Sequence, residues 1–248
     1  MIRYFIGLLL SVCTIPLLGA PIGNPASSAI LQEGLFIPDT AWSQPRVAYI
    51  VDLLGRQWLT GSHVRKISAQ GTSSFGSVCW SIQERFDLSV VAGFGAKTIR
   101  YSQNGLHYRA HFSPGLMWYG EVKLILFEVQ DTAVSSFAEV GGWSVLTGDV
   151  FADQQLVDSQ ARLLMRFWEA GAAISHKWGW FNGYGGVIAM RSRWKMDHIF
   201  SGHYLFKQQN PVGLLVGITL SNSSKAAINF EWRGFSENAS SIAAEVRF

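Results

Sequence analysis

Two histidines four residues apart are the first candidates for chemistry in this sequence. His107 and His111 have the spacing of a helical metal-binding pair, but the residues around them alternate between apolar and polar, which predicts a strand. Four strand residues span about 13 Å at ~3.3 Å per residue, so the two rings cannot share one metal ion. We predict that both are lumen or loop residues and that the chain has no metal site.

A glycine-rich segment, residues 93–98, is the second candidate for chemistry. Its sequence GFGAKT superficially resembles a phosphate-binding loop, but Ala96 stands where that loop has the glycine before its lysine. No helical pattern follows it, and neither a G-x-S-x-G nor an H-E-x-x-H motif occurs in the chain. A dispersed Ser-His-Asp triad leaves no such local signature and stays open as a minor alternative. We predict a protein that is not an enzyme and uses no cofactor.

The composition excludes several classes of protein. Of 248 residues, 48% are hydrophobic and only 15% are charged, against roughly 25% charged residues in ordinary soluble domains. Part of the surface is therefore expected to face something other than water. Beyond the N-terminus there is no apolar run of about 18 residues, which excludes a bundle of membrane helices. The formal net charge is +3 and the basic residues are scattered, so we predict no nucleic-acid partner.

The first 20 residues have the three regions of a secretory signal peptide. Arg3 precedes an apolar stretch over residues 4–18, and a small-residue segment ends at Ala20. An uncleaved membrane anchor is the alternative. Cleavage would leave Cys79 as the only cysteine, which predicts either a buried thiol or a bond to another chain. Residues 21–44 have no sustained period, so we predict an irregular segment and a candidate plug.

From residue 45 to residue 248, short stretches alternate between apolar and polar or small residues. This period of two is typical of strands with two unlike faces. Residues 78–83 and 86–96 predict one hairpin, and residues 106–112 and 116–126 predict a second one that turns at Ser113–Gly115. The pattern predicts 12 or 13 strands, and single-chain bacterial membrane barrels have an even number of strands. We therefore predict an all-β fold, an antiparallel up-and-down transmembrane β-barrel of about 12 strands.

The direction of the faces separates this fold from a soluble β-sandwich, which is the alternative. The polar set of each strand is mostly Ser, Gly, Asn and Ala, a thin cover for a surface in water but suited to an enclosed lumen. The apolar set would then face lipid. Phe248 ends the chain in phase with the last strand, a form common among outer-membrane strands, so we interpret it as a barrel-assembly signal. The predicted partners are outer-membrane lipid, the outer-membrane assembly machinery and small solutes.

Four segments of the chain together resemble the chlamydial major outer membrane protein, a porin family. They are PIGNPA at residues 21–26, ERFD at 84–87 with a cysteine upstream, the turn and strand over 180–194, and the tail 231–248. The resemblance implies a porin-like barrel in the outer membrane. This chain is shorter and lacks the many cysteines that the resemblance connects to disulfides between chains, so Cys79 is the one candidate intermolecular thiol.

The predicted function is diffusion of ions and small solutes through the outer membrane. Basic groups outnumber acidic ones in the predicted lumen, which predicts weak anion preference. Two alternatives stay open: a non-conducting structural or adhesin surface protein, and a soluble periplasmic β protein. A homo-oligomer is an open alternative to a monomer. The residues predicted to line the pore are Arg109, Glu121, Lys123, Arg191, Arg193, Glu231 and Arg233.

Overall fold

The computed structural model describes residue 23 and residues 43–61, 64–82, 85–198, 202–223 and 226–248. The predicted signal peptide, residues 1–20, lies outside the described residues, as does most of the predicted irregular segment, 21–44. No helix in the described part of the chain is long and apolar enough to cross a bilayer. The described strands are β1 Ser43–Gly61, β2 Val64–Ile82, β3 Phe86–Gln103, β4 Leu106–Val129, β5 Thr132–Val145, β6 Gly148–Ala152, β7 Gln155–Asp158, β8 Arg162–Trp178, β9 Phe181–His198, β10 Gly202–Gln208, β11 Val212–Ser223, β12 Ala226–Gly234 and β13 Asn238–Arg247.

Ten of these strands close into an antiparallel barrel. Its order is β1-β2-β3-β4-β5-β8-β9-β11-β12-β13, and β13 returns to β1 with Arg46 opposite Arg247 and Val51 opposite Ile242. Closure leaves the barrel without free edges, and ten is an even number, as in single-chain bacterial barrels. The end where β13 finishes carries the tight turns at residues 130–131 and 179–180. We call it the lower end and the opposite one the upper end.

Three further strands extend the wall at the upper end. β6 pairs with Tyr108–Phe112 of β4 and with β7, while β10 pairs with the upper ends of both β9 and β1. They lie above barrel strands that are short: β5 has 14 residues and β12 has 9, whereas β4 has 24. The predicted count of 12 is thus replaced by ten closing strands and three additional ones. A period of two identifies strands, but it does not identify their neighbours.

The two predicted hairpins have different outcomes. The first is confirmed, because Trp80 lies opposite Leu88 in the β2–β3 pair. The second is wrong, because β4 runs without a break through Ser113–Gly115, and the turn lies instead at Asn104 and Gly105, with φ of 51° and 84°. Asn-Gly is the preferred sequence for a tight hairpin turn that needs two positive φ angles. The β3–β4 register shifts beside Pro114, so this residue lies at a bulge, where a missing N–H is tolerated.

The lower part of the wall has an apolar outer face and a polar inner face. Leu214 is 41% exposed and Val246 is 44% exposed, while Arg233 is 0% exposed. The prediction that the apolar set faces outward is therefore confirmed for this part of the barrel, and a soluble sandwich with a dry apolar centre does not fit it. Other outward-facing side chains of this belt are Tyr49, Val78, Trp80, Leu88, Val90, Phe94, Trp118, Val140, Ile174, Val187, Val216 and Ile242.

Candidate functional site in the barrel interior

Charged side chains fill the middle of the barrel around Arg233. Its Nη2 donates a hydrogen bond of 2.9 Å to Asp52 Oδ1, and its Nη1 and Nε lie 3.3 Å from Glu231 Oε1 and 3.2 Å from Glu237 Oε1. All four side chains are 0–1% exposed. These contacts join β1, β12 and the turn before β13. Removing one partner from such a buried group strongly destabilises a protein, because the remaining charge is buried without compensation.

A second ionic cluster lies closer to the lower end, at the seam where the barrel closes. Arg46 Nη1 donates a hydrogen bond of 2.7 Å to Glu245 Oε1, and Nη2 donates to Asp87. Nη2 also lies 3.1 Å from the sulfur of Cys79. The cluster connects four neighbouring strands, β13, β1, β2 and β3. Cys79 is buried beneath it, so its thiol faces the interior. Of the two options that the sequence left open, this position fits a buried thiol and not a bond to another chain.

Three glutamates form a row across neighbouring strands. Glu121 of β4 lies opposite Glu139 of β5, which lies opposite Glu169 of β8, and all three are buried. Lys123 Nζ lies 3.0 Å from Glu121 Oε1. The carboxylate oxygens of Glu139 and Glu169 have no hydrogen-bond partner among the described residues. Like charges directly opposite one another repel, so this row requires protons or cations nearby.

A hydrogen-bond network around the hydroxyl of Tyr184 lies beside this row. The hydroxyl of Tyr184 donates to Glu231 Oε2 at 3.2 Å and is joined to Asn229 at 2.9–3.0 Å. Tyr184 lies across Gly217, where a Cβ atom would come within 2.2 Å of the ring. Gly23 lies inside the barrel near this network, because a Cβ built on it would be 3.5 Å from Lys123 Nζ.

The upper interior is closed by aromatic side chains. The rings of Trp143 and Trp194 meet edge to face with centroids 6.4 Å apart, and each residue is 1% exposed. Lys97 Nζ lies 5.3 Å from the first ring centroid and 5.5 Å from the second, within the range of a cation–π interaction. The buried side chains that pack around this pair include Tyr101, Phe112, Met165, Met196 and Phe206.

The structure separates the residues predicted to line the pore into two groups. Four lie in the interior: Arg233 at 0% exposure, Glu231 and Glu121 buried, and Lys123 with 11% of its side chain exposed. Arg109, Arg191 and Arg193 are exposed on the outer face instead, and their predicted position in the lumen is corrected.

The strand β9 shows why the interpretation failed for these arginines. Its outward set changes from Val187 and Ala189 to Arg191 and Arg193 along the strand, while the inward set includes Trp194. The side chains keep their alternation, but the chemical character of the two faces is exchanged at the upper end. A rule that places polar residues inside therefore holds only in the apolar belt. The buried charged side chains that were not predicted from the sequence include Arg46, Asp52, Asp87, Lys97, Glu139, Glu169 and Glu237.

The sequence signal for the missed residues is the alternation itself. In β5, Ser135, Phe137 and Glu139 occupy alternate positions, and all three are buried. Alternate residues of a strand share one face, so the inward face of β5 includes Glu139. The two histidines lie on the outer side of β4, where His107 Nδ1 is 3.0 Å from Ser102 and His111 Nδ1 is 2.9 Å from Thr98. Among the residues that the structure describes, no group of three or more His, Cys, Asp and Glu could hold a metal ion.

Comparison with known proteins finds similar barrels at low identity. The translocator domain of the autotransporter NalP from Neisseria meningitidis has 12% identity and a TM-score of 0.48, covering 90% of this chain and 92% of that one. The outer membrane protease OmpT from Escherichia coli has 9% identity and a TM-score of 0.44, covering 83% and 96%. The outer membrane protein OprG from Pseudomonas aeruginosa has 8% identity and a TM-score of 0.39, covering 83% and 95%. No protein-family model matches the sequence, and no curated protein matches it significantly. Similarities at this level carry no conclusion about activity.

Proposed function

We propose that this protein is an integral outer-membrane β-barrel whose interior is closed by its own side chains, and that it acts as a non-conducting surface protein. The carrying observation is the packed interior: Trp143 and Trp194 meet in the upper part, Arg233 lies in the middle, and each is 0–1% exposed. Barrels of eight strands are filled by side chains, whereas 16 to 18 strands leave an aqueous channel. Ten strands are near the filled limit.

The membrane location is supported by the outer face. Apolar side chains cover the lower wall on all sides, and burying such a surface in lipid is favourable at roughly 25 cal/mol per Å². Phe248 is 76% exposed at the lower end, where an assembly machinery could reach it. The resemblance to the chlamydial major outer membrane protein is part of this proposal and supports the same location.

Porin-like diffusion is the second candidate function. It is favoured by the ionisable side chains of the interior, such as Lys123, which a narrow water-filled path would need. Among the described residues, the buried charged side chains comprise eight acids and three bases, so a conducting barrel is expected to prefer cations. This balance counts against the weak anion preference predicted from the sequence. The candidate plug stays a prediction, because Gly23 is the single described residue between residues 21 and 42.

Two measurements on the same purified protein test the proposal. The barrel is expected to fractionate with the outer membrane and to migrate differently on a gel before and after heating. Reconstituted in planar bilayers, it is expected to give no single-channel steps. Regular steps would support the porin candidate instead, and reversal potentials in a salt gradient would then give the ion preference. Release of the protein without detergent would contradict both candidates.

A further inference from the structure

Three cations form a row on the outer wall at the upper end. Arg166 of β8 lies directly opposite Arg193 of β9, which lies directly opposite Lys207 of β10. All three side chains are exposed. Neighbouring strands are ~4.8 Å apart, and like charges directly opposite one another destabilise a sheet. In the part of the chain that the structure describes, none of the three forms an ion pair with a carboxylate. The row therefore has no paired counter-charge among the described residues.

An open cleft adjoins this row. It has a volume of about 690 Å³, and its rim includes Arg166, Arg193 and a third arginine, Arg191, which is paired with Trp168 across the strands. Its floor lies at Gly142, which faces Arg166 on one side and Trp118 on the other. Because Gly142 has no side chain, the wall is depressed between larger neighbours. Apolar walls of the cleft are formed by Trp118, Val140, Leu164 and Trp168. Val140 and Trp168 lie two residues below Gly142 and Arg166 on their strands, whereas Leu164 lies two residues above Arg166.

The position of this cleft along the barrel matches the membrane boundary. Arg191 lies ten residues above Phe181, at the lower end of the same strand. At ~3.3 Å per residue and a tilt of about 40°, the rise is about 25 Å, which is the height of the apolar band of outer-membrane barrels. The arginines then lie at the level of the headgroups, and Val140 and Trp168 lie at the boundary with the acyl chains.

The connections between strands identify the leaflet. The described lower-end connections at 130–131 and 179–180 have two residues each. The upper end has a comparably short turn at Asn104 and Gly105, but it also has the two long connections that carry β6, β7 and β10. Short turns face the periplasm and longer connections face the exterior in outer-membrane barrels. The cleft therefore faces the outer leaflet.

We propose that this cleft binds a phosphorylated glycolipid of the outer leaflet. The inference rests on the proposed membrane location. Arg166, Arg191, Arg193 and Lys207 bind the phosphate groups, since guanidinium groups match phosphate oxygens in bidentate geometry. The acyl chains lie over Gly142 against the two tryptophans. Four cations within three strands exceed the charge of a single phosphodiester, which favours a headgroup with more than one phosphate over an ordinary phospholipid.

The test measures lipid binding to the intact barrel in neutral detergent. Diphosphorylated lipid A is titrated against the wild-type protein and the double variant Arg166→Gln/Arg193→Gln, and bound lipid is counted by native mass spectrometry. We expect the double variant to bind at least tenfold more weakly. The matched control is Arg100→Gln/Arg109→Gln, which removes another pair of exposed arginines directly opposite each other, away from the cleft. It is expected to bind like the wild type.

Parallel titrations distinguish the sources of phosphate. Inorganic phosphate and phosphatidylethanolamine are expected not to compete at equal concentration. Equal binding by wild type and double variant, or full competition by inorganic phosphate, would overturn the proposal. The double variant should also unfold no more easily than the wild type without lipid, because it removes a repulsive pair; a clear loss of stability there would contradict the assigned geometry. Failure of the wild type to insert into vesicles would overturn the proposed membrane location instead, which separates the two claims.

Discussion

Arg233 and Asp52 are joined inside the barrel by a hydrogen bond of 2.9 Å between residues 181 positions apart in the sequence. The strands that carry them, β12 and β1, are not neighbours, because β13 lies between them in the wall. The pair therefore crosses the interior at the place where the chain closes on itself. Since both side chains are 0% exposed, neither charge can return to water while the barrel is folded.

Removing one member of this pair should destabilise the barrel strongly. We expect Asp52→Ala to lower the free energy of unfolding by about 3–5 kcal/mol, because it leaves a buried guanidinium with less compensation. Urea titration followed by the heat-dependent gel shift measures it. The control is Asp197→Ala, which breaks a largely exposed pair with Lys195 and should cost at most about 1 kcal/mol. Similar effects of the two substitutions would contradict the role of the buried pair.

The contact between Tyr184 and Gly217 should tolerate no added methyl group. In Gly217→Ala, the new Cβ would lie 2.2 Å from the tyrosine ring and 2.7 Å from the carbonyl oxygen of Phe230. Overpacking of this kind costs about 1–3 kcal/mol. Gly76→Ala is the matched control, because nothing lies within 4 Å of its Cβ position. Equal unfolding midpoints in urea for the two variants would show that the ring is not held there.

The tryptophan pair should limit passage through the upper interior. The double variant Trp143→Ala/Trp194→Ala removes two fully buried rings and is expected to raise conductance in planar bilayers above that of the wild type. Trp168→Ala is the control, because this side chain is 47% exposed on the outer face. Unchanged conductance in the double variant, with the barrel still folded, would place the closure of the interior at another level.

The apolar belt, which we propose faces lipid, should reject charge according to depth. Val216 and Val212 are 51% and 62% exposed on the same outer face of β11, the first near the middle of the strand and the second at its upper end. We expect Val216→Arg to lower the free energy of unfolding by about 2–4 kcal/mol, which is the cost of an arginine at the bilayer midplane. We expect Val212→Arg to lower it by at most about 1 kcal/mol, which is the cost near the interface. Unfolding in lipid vesicles measures both. Equal costs would argue against a membrane around this strand.

Cys79 should react slowly in the folded protein. Its thiol is buried beside Arg46, so a maleimide reagent is expected to modify it fully only after unfolding. Cys79→Ser identifies the labelled site. Rapid labelling of the folded barrel would restore the thiol as a candidate for bonds between chains.

Local sequence patterns predicted the hairpin between β2 and β3, whose residues alternate cleanly, but not the one between β3 and β4. There the apolar alternation continues on both sides of Pro114, and a proline next to glycine is typical of a turn. The bulge that accommodates the proline depends on pairing with β3, which a single strand pattern does not contain.

The sequence by itself determined that this chain forms strands with two unlike faces and that its apolar face in the lower wall points outward, because alternation and low charge are properties of each strand alone. Only the tertiary structure decided that ten strands close the wall, that Arg191 and Arg193 lie outside, and that Arg233 reaches Asp52. The physical reason is that charge lies inside where the outer face of the wall is apolar and lies on the outer face beyond that belt. Where that boundary falls depends on how the strands tilt and pair.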